Sequence, residues 1–188
     1  LKARVSISGG SQSVGVGATT TREHLPELLA LLAEMLRTPS FPADEFEQLR
    51  NQAITGLEAG RNQPQSVASR ALSRHFSPWP KGHPWYAQTL DEAIAEMRSV
   101  TLDEVRRFHV DFLGAGVGEI SLVGDFDPQE AMALLEQHFG GWNAPRPYVR
   151  LANPAHSPEA VVRELKTPDQ ANAAIFRRAT LALSDSHP

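Results

Sequence analysis

Seven histidines and 22 acidic residues are spread through this 188-residue chain, enough raw material for a metal centre or an acid–base pair. Spacing decides which chemistry they can do. His75 and His83 bracket the rigid segment Ser77-Pro78-Trp79-Pro80-Lys81-Gly82-His83-Pro84-Trp85-Tyr86 and could meet in space, but two histidines lack the third protein ligand that a catalytic zinc takes. His109 shares a helical stripe with Leu102, Val105 and Phe112, and His138 lies beside Leu134 and Leu135. Both read as hydrogen-bonded core or boundary histidines. His156 and His187 fall in linker or end segments and read as solvated. Asp125 and Asp127 flank Phe126, a pairing that could serve acid–base work or a hard cation. The competing reading is a helix cap, because Asp127-Pro128 supplies an N-cap acceptor and an imino acid at the first helical position. Ser11 and Ser13 lie in a Gly-rich stretch with neither a Gly-x-Ser-x-Gly elbow nor a phosphate-cradling Gly-Lys-Ser/Thr loop. Serine-hydrolase and nucleotide readings therefore fall away. Trp79, Trp85 and Tyr86 could contact a peptide, since rigid aromatics bind with little loss of entropy, or could close one end of the core.

The composition narrows the partners. With 18 Lys+Arg against 22 Asp+Glu the formal net charge is -4, without the basic surplus of a phosphate-tracking protein, so nucleic acid is not an expected partner. Zero cysteines exclude disulfides, thiolate zinc sites and a cysteine nucleophile, and leave a bacterial cytoplasm and periplasm both open. The longest apolar stretch, Leu25 to Leu36, is interrupted by Pro26, Glu27 and Glu34 and falls short of the roughly 18 residues of a membrane span. Hydrophobic residues at 41% and charged residues at 21% suit a globular chain with a real core. A start on Leu1 and a stop at Pro188 in mid-pattern suggest a piece of a longer protein.

Local patterns lay out the elements that must position these residues. Ala3 to Ser8 and Ser13 to Thr19 alternate as two antiparallel strands joined through Gly9-Gly10. Leu25, Leu28, Leu29, Leu31, Leu32, Met35 and Leu36 form a helix apolar nearly all round, expected to be covered on two sides. Pro42 opens a long helix with Phe46, Leu49, Ala53 and Leu57 on one stripe, and its Gly56 and Gly60 suggest a close backbone approach. A third helix fits Pro64 to Phe76. Two capping boxes, Thr89 to Glu92 and Thr101 to Glu104, start helices running through Arg98 and Phe112. Val117 to Gly124 reads as a strand before a helix capped by Asp127 and closed by Gly140-Gly141. Ala160 to Leu165 and Ala171 to Thr180 restart strand-like patterns. The expected organisation is one α+β domain over 1–144, a proline-rich linker over 145–159 and the truncated start of a following domain over 160–188.

The run Ala18-Thr19-Thr20-Thr21, Leu28-Leu29 and Leu32, then Pro39-Ser40-Phe41-Pro42, Glu45-Phe46 and Leu49-Arg50, resembles the insulinase/pitrilysin family of zinc metallopeptidases. So do Thr101 with Phe108-His109, and above all Leu122-Val123-Gly124-Asp125-Phe126-Asp127 followed by Phe139-Gly140-Gly141-Trp142. The resemblance spans about residues 14 to 142. It implies an α+β fold with an antiparallel or mixed sheet and helices packed on it, of the LuxS/mitochondrial-processing-peptidase-like metallohydrolase architecture. It further implies a protein of two homologous halves that close around a peptide, one of which carries the zinc.

The family's inverted zinc motif, His-x-x-Glu-His, is missing, and the nearest string, Arg22-Glu23-His24, has Thr20 where the first histidine must stand. The family's third ligand comes from the helix after the Pro-x-Phe segment, where the register puts Gly56; Glu58, two positions on, points about 200° away. The resemblance therefore implies the first domain of the non-catalytic half. Such a domain shapes the chamber, holds peptide substrate and docks on the catalytic half of the parent, where the zinc sits, while this chain binds no cofactor. Two alternatives keep the same fold: a segment of the catalytic half with Glu58 as ligand and the zinc motif upstream of Leu1, or a non-peptidase assembly subunit. Unpaired sheet edges would also suit a homodimer.

Overall fold

The computed structural model describes residues 1–10, 12–168 and 171–181. His187 and Ser11 lie outside the described residues. The chain is α+β, with one antiparallel two-stranded sheet and six α-helices among the described residues. Two compact units divide it, the first made of Leu1–Pro42 and Thr101–Leu151, the second of Ala43–Val100 and the described part of Ala152–Pro188.

In the first unit the alternating segments form a hairpin, β1 (Arg4–Gly9) paired with β2 (Val14–Thr19) in a register that sets Arg4 against Thr19 and Gly9 against Val14. The Gly10 N–H donates to the Ser13 carbonyl at 2.8 Å and closes the turn. Helix α1 (Leu25–Arg37) packs on α6 (Pro128–Phe139), and this pair holds the unit's core. Only one stripe of α1 is buried, formed by Leu28, Leu29, Leu32 and Ala33, while Met35 is 41% exposed. The expected two-sided cover is therefore not found, because one partner helix can shield one face. On the opposing helix Ala131 is buried. Arg37 locks the end of the pair: its guanidinium donates to the His138 carbonyl at 2.6 Å, where the last carbonyls of α6 have no helical partner.

Helix α5 (Leu102–Phe112) belongs to the same unit and is tied to the Pro-Ser-Phe-Pro segment. Phe41 takes a φ of 46°, a left-handed conformation that strains any residue with a Cβ. Its ring meets His109 edge-on at 5.4 Å, and its carbonyl accepts from Arg106 at 3.3 Å. These contacts hold the chain in the strained turn before α2. Gly114 has to be glycine, since a Cβ there would lie 2.5 Å from the Ala144 backbone nitrogen.

In the second unit α2 (Ala43–Ala59) packs on α4 (Leu90–Ser99), with Ile94 of α4 buried. The stripe of α2 that turns inward runs through Phe46, Arg50, Ala53, Ile54 and Leu57. Leu49 is instead 62% exposed, and the Arg50 guanidinium lies over Phe46 while donating to the Val100 carbonyl at 3.2 Å. Nothing comes within 4 Å of a Cβ built on Gly56, so the expected close approach is absent there; Gly60 does meet Ser66 at 3.3 Å. Helix α3 (Pro64–His75) follows.

Both capping boxes form as expected, Thr89 opening α4 and Thr101 opening α5, and Asp127 caps α6 through bonds from the Gln129 and Glu130 N–H groups. The expected strands at Val117–Gly124, Ala160–Leu165 and Ala171–Thr180 do not form. An alternating pattern makes a segment able to pair, but a strand exists only beside a partner, and no ladder reaches these segments among the described residues. Their apolar side chains stay exposed, with Val123 at 98% and Val162 at 99%.

Leu32→Ala should lower the unfolding free energy by about 3 kcal/mol, against less than about 0.5 kcal/mol for Leu49→Ala, read by chemical denaturation. Gly56→Ala should raise it by about 0.5–1 kcal/mol, because an open mid-helix glycine gives up entropy for no packing.

Candidate functional site

The aromatic loop between α3 and α4 is the candidate surface, and its geometry is built from the start of α4. Thr89 accepts the Glu92 N–H at 3.1 Å, and the Glu92 carboxylate accepts the Thr89 N–H at 2.9 Å. The same carboxylate takes the Tyr86 hydroxyl at 3.0 Å and the Lys81 ammonium at 2.9 Å, with an Arg74 guanidinium nitrogen at 3.8 Å. The bond from the Thr89 backbone, followed by that from Lys81, holds the Glu92 carboxyl down at about 2. In return the bond to Glu92 raises the Lys81 ammonium above its ordinary value.

Inside the loop the Trp79 and His83 rings stack at 4.0 Å and 4°. His83 Nδ1 accepts the Trp85 N–H at 3.1 Å, and Ser77 donates to the Trp85 carbonyl at 3.2 Å. Trp79 Nε1 donates to Asn153 Oδ1 at 3.2 Å. His83 thus engages both tryptophans, Trp79 through its ring and Trp85 through its backbone N–H. Tyr86 spends its hydroxyl on Glu92, and the Trp85 indole N–H is buried without an acceptor among the described residues.

The other residues with metal-ligating side chains are scattered. His75 bonds the Glu159 carbonyl at 2.9 Å and meets Phe76 edge-on, while His83 belongs to the tryptophan stack, so each has its own partners. Glu58 Oε1 accepts from Arg98 at 2.8 Å and bridges α2 to α4. Gly56 offers no donor atom. Thr20 donates its hydroxyl to the Lys2 carbonyl, and His24 lies 3.6 Å from Glu23 in a single 3-10 turn, Arg22–His24. His109 is satisfied by the Leu36 carbonyl at 2.7 Å. Asp125 pairs with Arg22 at 2.7 Å, and Asp127 is held below the usual carboxylate range by the N–H groups of Glu130 and Gln129. Among the described residues no three His, Cys, Asp or Glu side chains converge to hold a metal ion. No described helix is long and apolar enough to cross a membrane.

What sequence reasoning missed was the role of Glu92 beyond its cap, together with the residues that face the loop from far along the chain. Asn153, His156 and Arg178 line a cavity with Phe76, Trp79 and Trp85. The only local signal was the density of acceptors and donors near a loop already rich in prolines.

Residues 99–185 match the sequence pattern of the peptidase M16 inactive domain. The fold is similar to a crystal structure of a peptidase M16 inactive domain from Pseudomonas fluorescens, with a TM-score of 0.65 and 26% identity over 84% of this chain. The match spans 38% of that structure's length. No curated protein matches the chain. Both likenesses are consistent with the expected resemblance to the non-catalytic half of an insulinase-family protein, and the α+β class is borne out.

The depressed Glu92 carboxyl sets a pH dependence. A group whose folded pKa is lowered stabilises the fold above its unfolded value near 4.5, and that contribution disappears as pH falls towards about 2. The stability gap between the protein and Glu92→Gln should therefore be constant from pH 7 to about pH 5 and then close on acidification, followed by urea denaturation at each pH.

Proposed function

We propose that this chain is a non-catalytic, chamber-forming and peptide-holding part of a zinc-dependent metalloendopeptidase of the insulinase family, whose other half carries out proteolysis. The observation that carries this reading is the state of α2. The slot where the family resemblance places the third zinc ligand is Gly56, facing open space, and the nearest acid, Glu58, is engaged by Arg98 at 2.8 Å. A zinc site needs three convergent protein ligands around an open position, and these residues do not fit that need. No step of hydrolysis is therefore assigned to them.

What the chain offers instead is a rigid aromatic surface. Trp79 is held by its stack on His83 and Tyr86 by its bond to Glu92 before any peptide arrives, so contact with them would cost little side-chain entropy. The similarity to the peptidase M16 inactive domain supports the same supporting role.

Protein equilibrated with zinc and then dialysed should retain far less than one zinc per chain by atomic absorption, with Glu58→Gln indistinguishable from it. About one tightly held zinc, lost in Glu58→Gln, would overturn the assignment to the non-catalytic half in favour of a catalytic segment.

A further inference from the structure

One cavity in the second unit has a lining that a purely supporting role leaves unused. It encloses about 390 Å³, and its walls include Phe76, Trp79, Trp85, Asn153, His156 and Arg178. That volume falls in the range of roughly 300–1,000 Å³ typical of small-ligand sites. No Asp or Glu lines it. The Arg178 guanidinium lies over the Phe76 ring at 4.7 Å, and among the described residues no carboxylate stands within ion-pair distance of it. The Trp79 indole N–H has an acceptor in Asn153, but the Trp85 indole N–H on the same cavity has none and is sealed from water. A buried donor without an acceptor is costly, so a ligand that supplies one gains more than a ligand bonding a solvated group.

We propose that this cavity receives the free carboxylate at the end of a peptide. Arg178 takes the negative charge in the planar geometry that guanidinium and carboxylate share. A small opening of the loop lets the Trp85 N–H give a second bond to a carboxylate oxygen, and the terminal side chain packs on Phe76 and Trp79. Without an acidic wall, the cavity favours an anion over an amine. The inference rests on the peptide-holding reading and adds to it the chemical group that is recognised.

The test uses the full chain and one hexapeptide ending in leucine, prepared both as the free acid and as the C-terminal amide, with binding followed by calorimetry and tryptophan fluorescence. The free acid should bind about tenfold more tightly than the amide, in line with a charge-assisted bond. Arg178→Gln should abolish that preference and Arg178→Lys should keep part of it. Arg178 is exposed, so neither change should disturb the fold, which circular dichroism checks. Trp85→Phe should weaken the acid a few-fold and leave the amide unchanged. Equal binding of acid and amide, or a preference that survives Arg178→Gln, overturns the carboxylate site while the peptide-holding reading stands. Binding of neither peptide overturns both.

Discussion

Glu92 carries two duties that usually fall to different residues. As the third residue of α4 it closes a capping box with Thr89, meeting helix N–H groups that would otherwise lack partners. As an acceptor with lone pairs to spare it also takes Tyr86 and Lys81, with Arg74 close by. The negative charge sits where the positive end of the helix dipole favours it. One carboxylate thus fixes the start of a helix, the near end of the aromatic loop and the middle of that loop. Prolines 78, 80 and 84 stiffen the loop from within, but stiffness alone does not choose an orientation. The bonds to Glu92, together with the Trp79–His83 stack, choose it.

The parts of this fold that could be read from the sequence are those whose physics is local. A capping box needs four consecutive residues, and both boxes form at the expected threonines. Asp127-Pro128 is the same kind of signal, and the hairpin needs only a glycine turn and two alternating runs. Where the outcome depended on distant segments, the pattern was not enough. The leucine-rich α1 displays apolar residues on more than one face, yet only the face turned to α6 is buried, and no local feature says how many partners a helix will find. Val117 to Gly124 carries a strand pattern but lacks a ladder, so its alternation goes unused among the described residues. The candidate site divides in the same way. Its aromatics stood out by their density in ten residues, whereas Asn153 and Arg178 are brought in from positions whose own surroundings gave no hint.

The matching family pattern covers residues 99–185, so what α2 lacks rests on the residues of α2 alone. Gly56 speaks of physics: a mid-helix glycine with open space around it has no packing duty, so the helix carries an entropic cost there without a structural return. Glu58, in turn, works as a strut between α2 and α4 through Arg98. The pair is solvent-exposed and therefore weak, so its part is to aim the Glu58 carboxylate at α4 rather than to add much stability.

The electrostatics point the same way. Among the described residues four side chains have pKa values clearly displaced from their ordinary ones: Glu92, Glu104 and Asp127 move down, and Lys81 moves up. Each displacement deepens the charged form, and each has a structural cause, whether the bonds that Thr89, Thr101 or Glu130 donate from the backbone or the Lys81–Glu92 pair. A general acid or base requires the opposite treatment, with burial or a like charge bringing its pKa towards neutrality so that the proton can move in both directions. Groups driven further from neutrality act as fixed charges. Glu92, Glu104 and Asp127 stand in this way as fixed negative charges at the starts of α4, α5 and α6, where the positive end of each helix dipole favours them.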